Sequence, residues 1–240
     1  SIVFEVGERV GETQYNSAGG FVVTDDGEYI IANSGNGTLL RYSAEGEFIE
    51  SSPISEPGYR PDSVVLLPDN TLMLADWFDD VITIRTLEGE LLQEIHGWPK
   101  PDLGKHDHDK FTQVVPGVGG IFYGAEARGK RIVTLNSDGE IVETWQGPTI
   151  DRLDDIRDLA TDSHGNLYIA IDNQDRIIRR SPSGEIQEFS SDNPTEVAPL
   201  DDLSFYVYSS RNFFYYSAEG KMVNSWIAPE LDWSLEDMKA

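Results

Sequence analysis

Between Phe21 and Glu50 the chain runs through short apolar bursts cut by polar turns, and this one stretch organises the rest. FVVTDDG, EYIIAN, SGNG, TLLRYSAEG and EFIE make four apolar runs joined by turns at Asp26-Gly27, Gly35-Asn36-Gly37 and Glu45-Gly46. Gly, Asn and Asp enter positive φ at little cost, so these are tight turns. Runs this short, rich in Val, Ile, Leu, Tyr and Phe, predict antiparallel strands and not helices. The unit is a four-stranded meander.

The unit recurs down the chain. Repeats open with GGFVV at 19, PDSVV at 61, FTQVV at 111, IRDLA at 156 and PTEVA at 194. Second runs are EYIIAN, TLMLAD, IFYGAE, LYIAID and SFYVYS, and the fourth runs are EFIES, ELLQE, EIVET, EIQEF and KMVNS. Third runs end in turns at Gly46, Gly89, Gly139, Gly184 and Gly220, spaced 36 to 50 residues apart, as in propeller blades. Runs such as VVLL and VITI are apolar on both faces, which suits sheets covered on both sides; outer runs such as EFIESS and EIVETW alternate like edge strands. The expectation is an all-β, single-domain β-propeller over 1–240 with five four-stranded blades at 19–52, 61–95, 111–146, 156–190 and 194–229. SIVFEV, within 1–7, is expected to be a closing strand that adds to or replaces the outermost strand of the last blade, with a polar loop from there to Ala18. The alternative is a six-bladed or truncated six-bladed ring, although a sixth blade needs about 40 residues and only Ser1 to Ala18 and Glu230 to Ala240 are unassigned.

Pro61-Asp62-Ser63-Val64, the run Ser163-His164-Gly165-Asn166-Leu167-Tyr168-Ile169-Ala170 and the five third-turn glycines carry a resemblance to the NHL-repeat-type β-propellers. More loosely the chain is similar to lactonase-like six-bladed propellers. The resemblance spans about Gly19 to Pro229. It implies the propeller fold and a binding role; the looser one implies a divalent metal at the central channel and a hydrolase or lyase.

Charge narrows the partners. With 18 basic and 43 acidic residues, the net charge of -25 repels phosphate backbones and anionic lipid surfaces. Nucleic acid is disfavoured, and basic RNA-binding faces of the NHL group have no counterpart here. No run is long and apolar enough to predict membrane insertion. The chain has no cysteine, hence no disulfide or thiol nucleophile, and we expect an extracytoplasmic location, periplasmic or secreted. Neither a phosphate-cradling loop nor Gly-x-Ser-x-Gly is present.

Blade topology gathers the starts of first strands and the ends of second strands at one face, the channel mouth. The third residues of the openings are Phe21, Ser63, Gln113, Asp158 and Glu196; the second strands end at Asn33, Asp76, Glu126, Asp172 and Ser209. Asp76, Glu126, Asp158, Asp172 and Glu196 are therefore candidate ligands for Ca²⁺ or another divalent metal, which takes six to eight oxygens. Asn33, Asp76 and Asp172 also suit capping of the turn that follows. The lactonase-like family opens with Glu-Gly-Pro where Gly19-Gly20-Phe21 stands, so its metal set is incomplete here. The link from His96 to Lys110 holds His106-x-His108, with His106 the candidate catalytic base, and reads as a solvated loop or a lid. Tyr59, Trp77, Phe78 and Trp98 are candidate stacking residues for a small-molecule or protein ligand, whereas Trp145 and Trp226 suit packing between blades. The functional expectation is a ligand- or protein-binding module acting through this acidic face; the alternative is a metal-dependent hydrolase or lyase.

Overall fold

The turn chemistry explains why each meander closes where it does. In the hairpin between third and fourth strands, Gly46, Gly89, Gly139, Gly184 and Gly220 all take left-handed φ, from 75° to 90°. Each glycine amide donates to the carbonyl three residues back, on Ser43, Thr86, Asn136, Ser181 and Ser217, at 2.8–3.0 Å. In four of these turns the same Ser, Thr or Asn side chain also accepts the amide four residues on, from Glu47, Glu90, Glu140 and Glu185. The pattern Ser/Thr/Asn-x-x-Gly thus satisfies its own turn.

In the computed structural model, residues 9–10, 13–14, 18–54, 60–76, 81–96, 111–126, 131–145, 156–209 and 212–227 are described. They form five four-stranded antiparallel sheets with strands in sequence order. Blade 1 holds Ala18–Val23, Tyr29–Asn33, Thr38–Tyr42 and Phe48–Pro53. Blade 2 holds Pro61–Leu66, Leu72–Asp76, Val81–Arg85 and Leu91–His96. Blade 3 holds Phe111–Pro116, Phe122–Glu126, Arg131–Leu135 and Ile141–Trp145. Blade 4 holds Ile156–Thr161, Leu167–Ile171, Arg176–Arg180 and Ile186–Ser190. Blade 5 holds Glu196–Pro199, Phe205–Ser209, Asn212–Tyr216 and Met222–Ile227. Five four-stranded blades are present, as expected. The expected closing strand SIVFEV lies outside the described residues. The segment read as a polar loop to Ala18 carries a two-residue pairing of Arg9–Val10 with Thr13–Gln14. Helix is confined, among the described residues, to one 3-10 turn at Asp172–Gln174. No described helix is long and apolar enough to cross a membrane.

The chain divides into two compact units, one through Val114 and one from Val115. In the first, Ile30, Ala32 and Leu39 of blade 1 pack on Val64, Leu72, Leu74 and Val81 of blade 2. In the second, blade 4 is covered on both sides. Leu167, Ile169 and Ile171 turn toward Tyr123, Ala125 and Ile132 of blade 3. The alternate residues Tyr168 and Ala170 turn toward Val197, Phe205 and Val207 of blade 5. Two buried faces on a period-2 strand account for the unbroken apolar run, and each large side chain so buried stabilises by about 1.5–3 kcal/mol.

Register corrects two sequence alignments. A bulge between Ala18 and Gly20 makes Gly20, not Phe21, face Ala32, the position at which Ser63 faces Ala75 and Asp158 faces Ala170. Phe21 is 65% exposed. In blade 4 the second strand ends at Ile171, and Asp172 opens the 3-10 turn beyond it.

Candidate functional site

First strands present polar side chains toward the first strand of the neighbouring blade, because backbone groups there would otherwise be buried without a partner. In the first unit the Ser63 hydroxyl donates to the Val114 carbonyl at 3.1 Å and accepts the Val114 amide at 3.3 Å. In the second, Thr161 Oγ1 donates to the Pro116 carbonyl at 2.6 Å, and Asp158 Oδ2 accepts the Val197 amide at 2.8 Å. Asp158 is therefore a strap between the first strands of blades 4 and 5. Glu196 occupies the same register on blade 5, opposite Tyr208, and is exposed.

The neighbouring candidates are engaged as well. Asp172 Oδ2 receives Arg157 Nε at 2.8 Å and Nη2 at 2.7 Å, with Arg157 itself 56% exposed. In the first unit Asp76 is fully buried and accepts the Arg60 amide. Asn33 Nδ2 donates to Thr38 Oγ1 at 3.0 Å across the turn it was expected to cap. Glu126 ends the second strand of blade 3, opposite Arg131. Asp158 and Glu196 are thus brought to matching positions on adjacent strands, while Asp76 belongs to the other unit. Among the described residues no group of three or more His, Asp or Glu is arranged to hold a metal ion. Tyr59, Trp77, Phe78, Trp98 and His106 lie outside the described residues. Trp145 packs on the core between blades 3 and 4, under the Arg180 guanidinium at 5.6 Å. Trp226 instead packs within its own blade, stacked on Phe213 and edge-on to Tyr206.

The turn end of blades 4 and 5 holds a cleft that the sequence reading missed. Two hollows, of about 200 and 570 Å³, share Arg179, Gln187 and Leu203 in their walls. Arg179 is 7% exposed. Its Nε donates to Gln187 Oε1 at 3.0 Å, Nη1 to the Leu203 carbonyl at 3.0 Å and Nη2 to the Ala218 carbonyl at 2.9 Å. The guanidinium also lies 5.1 Å from the centre of the Phe189 ring. Its donors are occupied, so it is a structural floor that ties two blade-5 turns to blade 4. Beneath it Asp162 accepts the His164 and Asn166 amides on Oδ1, and the Asn166 side chain and the Tyr168 hydroxyl on Oδ2. Burial pushes the Tyr168 hydroxyl pKa up, partly offset by Arg179. Glu219 on the rim is held below the usual carboxylate range by the Ser217 hydroxyl. The available signal was the three arginines in RIIRR, a third strand whose middle is buried, where a buried cation demands partners.

Solved structures share this arrangement of blades. Virginiamycin B lyase from Staphylococcus aureus superimposes with a TM-score of 0.73 at 18% identity, covering 91% of this chain and 72% of that one. The WD40 propeller domain of Doa1 gives 0.70 at 15%, covering 93% and 73%. A chain of the nidogen/laminin complex gives 0.67 at 14%, covering 90% and 81%. The chain is a five-bladed β-propeller. No protein-family model matches its sequence, and no curated protein does. At these identities the likeness establishes the propeller fold, which is shared by lyases and by WD40 domains.

Proposed function

We propose that this propeller is an NHL-type binding module that takes a cationic or polar ligand, a small molecule or a protein segment, at the end of the blades bearing Asp158, Asp172 and Glu196. The supporting observation is the Asp158 carboxylate accepting the Val197 amide: it is committed to holding two first strands in place, as befits a rigid recognition face. Exposed Glu196 beside it, within a chain of net charge -25, favours positive partners. Extracytoplasmic placement belongs to the same proposal. Titration of a fluorescent lysine- and arginine-rich peptide tests it. Binding should weaken in Glu196→Gln and persist in Glu219→Gln, which lies at the turn end; equal loss in both would leave only non-specific attraction to charge.

A second reading is a divalent-metal-dependent hydrolase or lyase, favoured by the matching register of Asp158 and Glu196 on adjacent strands. Asp158, Glu196, Glu126 and Asp172 would supply oxygens to Ca²⁺ or a similar ion. Elemental analysis and a chelator melt separate the readings. Binding alone gives no bound ion and an unchanged melting temperature; a tightly held ion, lost in the Asp158→Ala, Glu196→Ala double variant, would establish the metal site.

A further inference from the structure

The fourth strand of blade 5, Met222–Ile227, differs from its counterparts in charge and exposure. Among the described residues, which do not include the expected closing strand within 1–7, it ends the strand order of its sheet, and all six of its residues are exposed. Ile227 is 76% exposed, Val223 58%, Met222 52% and Trp226 42%. The fourth strands of blades 1 to 4 each carry a glutamate: Glu50, Glu94, Glu143 and Glu188. Met-Val-Asn-Ser-Trp-Ile carries no charge. An exposed, neutral, apolar edge offers unpaired amides and carbonyls to another strand, and the usual safeguard is a charge on that edge. Within Met222–Ile227 that safeguard is missing, Lys221 standing just before it.

We infer that Met222–Ile227 is the edge through which two copies of this chain pair, strand to strand and antiparallel. Charge selects this edge as the meeting place. Two copies each at -25 repel over most of their surfaces, so they meet best where carboxylates are absent. A basic partner would be drawn instead to the four glutamate-bearing edges. The strand is also self-complementary about its middle. Directly opposed residues of an antiparallel pair lie on the same face, so a two-fold axis through Ser225 sets Val223 against Ile227 twice and Asn224 against Trp226 twice. Such β-branched and aromatic cross-strand pairs are favourable, and no like charges oppose. Phe213, Tyr206 and Tyr215 stiffen the sheet behind Trp226, with ring centres 5.0–6.0 Å apart.

Sedimentation velocity between about 0.05 and 0.5 M NaCl tests the pairing, because screening weakens the repulsion that opposes it. The wild type should show a monomer–dimer equilibrium whose dimer fraction grows with salt. Val223→Lys with Ile227→Lys should raise the dimer Kd about tenfold or more at an unchanged melting temperature, whereas Val142→Lys on the blade-3 edge should not. The chain lacks cysteine, so Ser225→Cys gives a direct reading. At the axis the two Cα atoms would stand about 4.5–5.5 Å apart, within disulfide reach. Mild oxidation should cross-link Ser225→Cys well ahead of Val142→Cys. A wild type monomeric at every salt concentration, or equal cross-linking of the two cysteine variants, overturns the inference.

Discussion

At Gly220 a single methyl group would collide with the core of the second unit. A Cβ built there falls 1.8 Å from Phe189 Cδ1, and the backbone stands at φ +75°. At Gly184, also left-handed with φ +87°, a Cβ meets nothing within 4 Å. Gly220→Ala should therefore cost about 3 kcal/mol or more, from strain plus displaced packing, against about 1 kcal/mol for Gly184→Ala. Urea unfolding measures both. The strap at Asp158 is a second residue-scale case. Asp158→Ala leaves the Val197 amide without this acceptor and should lose about 1–3 kcal/mol, while Asp158→Asn keeps a carbonyl oxygen and should lose less. Equal losses would show that the amide bond is not what the carboxylate contributes. The importance of such residues was not legible beforehand. The spacing of opening motifs put Asp158 at a strand start, but only packing of one first strand against the next brings the Val197 amide to it.

Hairpins are the elements whose behaviour depends on pH. In the turns between first and second strands, Asp69 accepts the Thr71 hydroxyl and amide, and Asp202 accepts those of Ser204. Hydrogen bonding to the side-chain hydroxyl leads in lowering both pKa values. The unfolded chain then binds protons first as acid is added, so the hairpins' contribution holds above about pH 4 and is lost as pH falls through the lower folded values. Asp202→Asn should flatten part of the acid limb of a stability–pH curve, and an unchanged limb would contradict this. On the alkaline side the raised pKa of Tyr168 favours the folded form below about pH 10 and loses that effect above it. Tyr168→Phe should reduce the alkaline decline seen in thermal melts. Hairpins were also the most legible elements, since Ser/Thr/Asn-x-x-Gly contains both the positive-φ residue and the capping side chain. What misled was counting from the apolar doublet: Phe21-Val22-Val23 looks like Ser63-Val64-Val65. Counting back from the turns, Val23 faces Tyr29 as Leu66 faces Leu72, which aligns Gly20 with Ser63.

For the whole molecule, a net charge of -25 sets self-repulsion against the described ion pairs. Those pairs, such as Arg41 with Glu28 at 2.7 Å and Arg180 with Glu143 at 2.6 Å, contribute about 0–1 kcal/mol each where solvent reaches them. Raising NaCl to about 0.2 M should therefore increase the melting temperature, by about 2–5 °C, and a fall on adding salt would mean that the pairs dominate. The number of blades, their strand order and their outer turns were determined by sequence alone, because apolar periodicity and positive-φ residues act over a few neighbouring positions. Tertiary structure decided which carboxylates are spent on backbone amides, that Arg179 closes a cleft between two blades, and that Met222–Ile227 stands exposed. Those properties depend on which groups remain unsatisfied once sheets stack, and residues distant in the chain settle that.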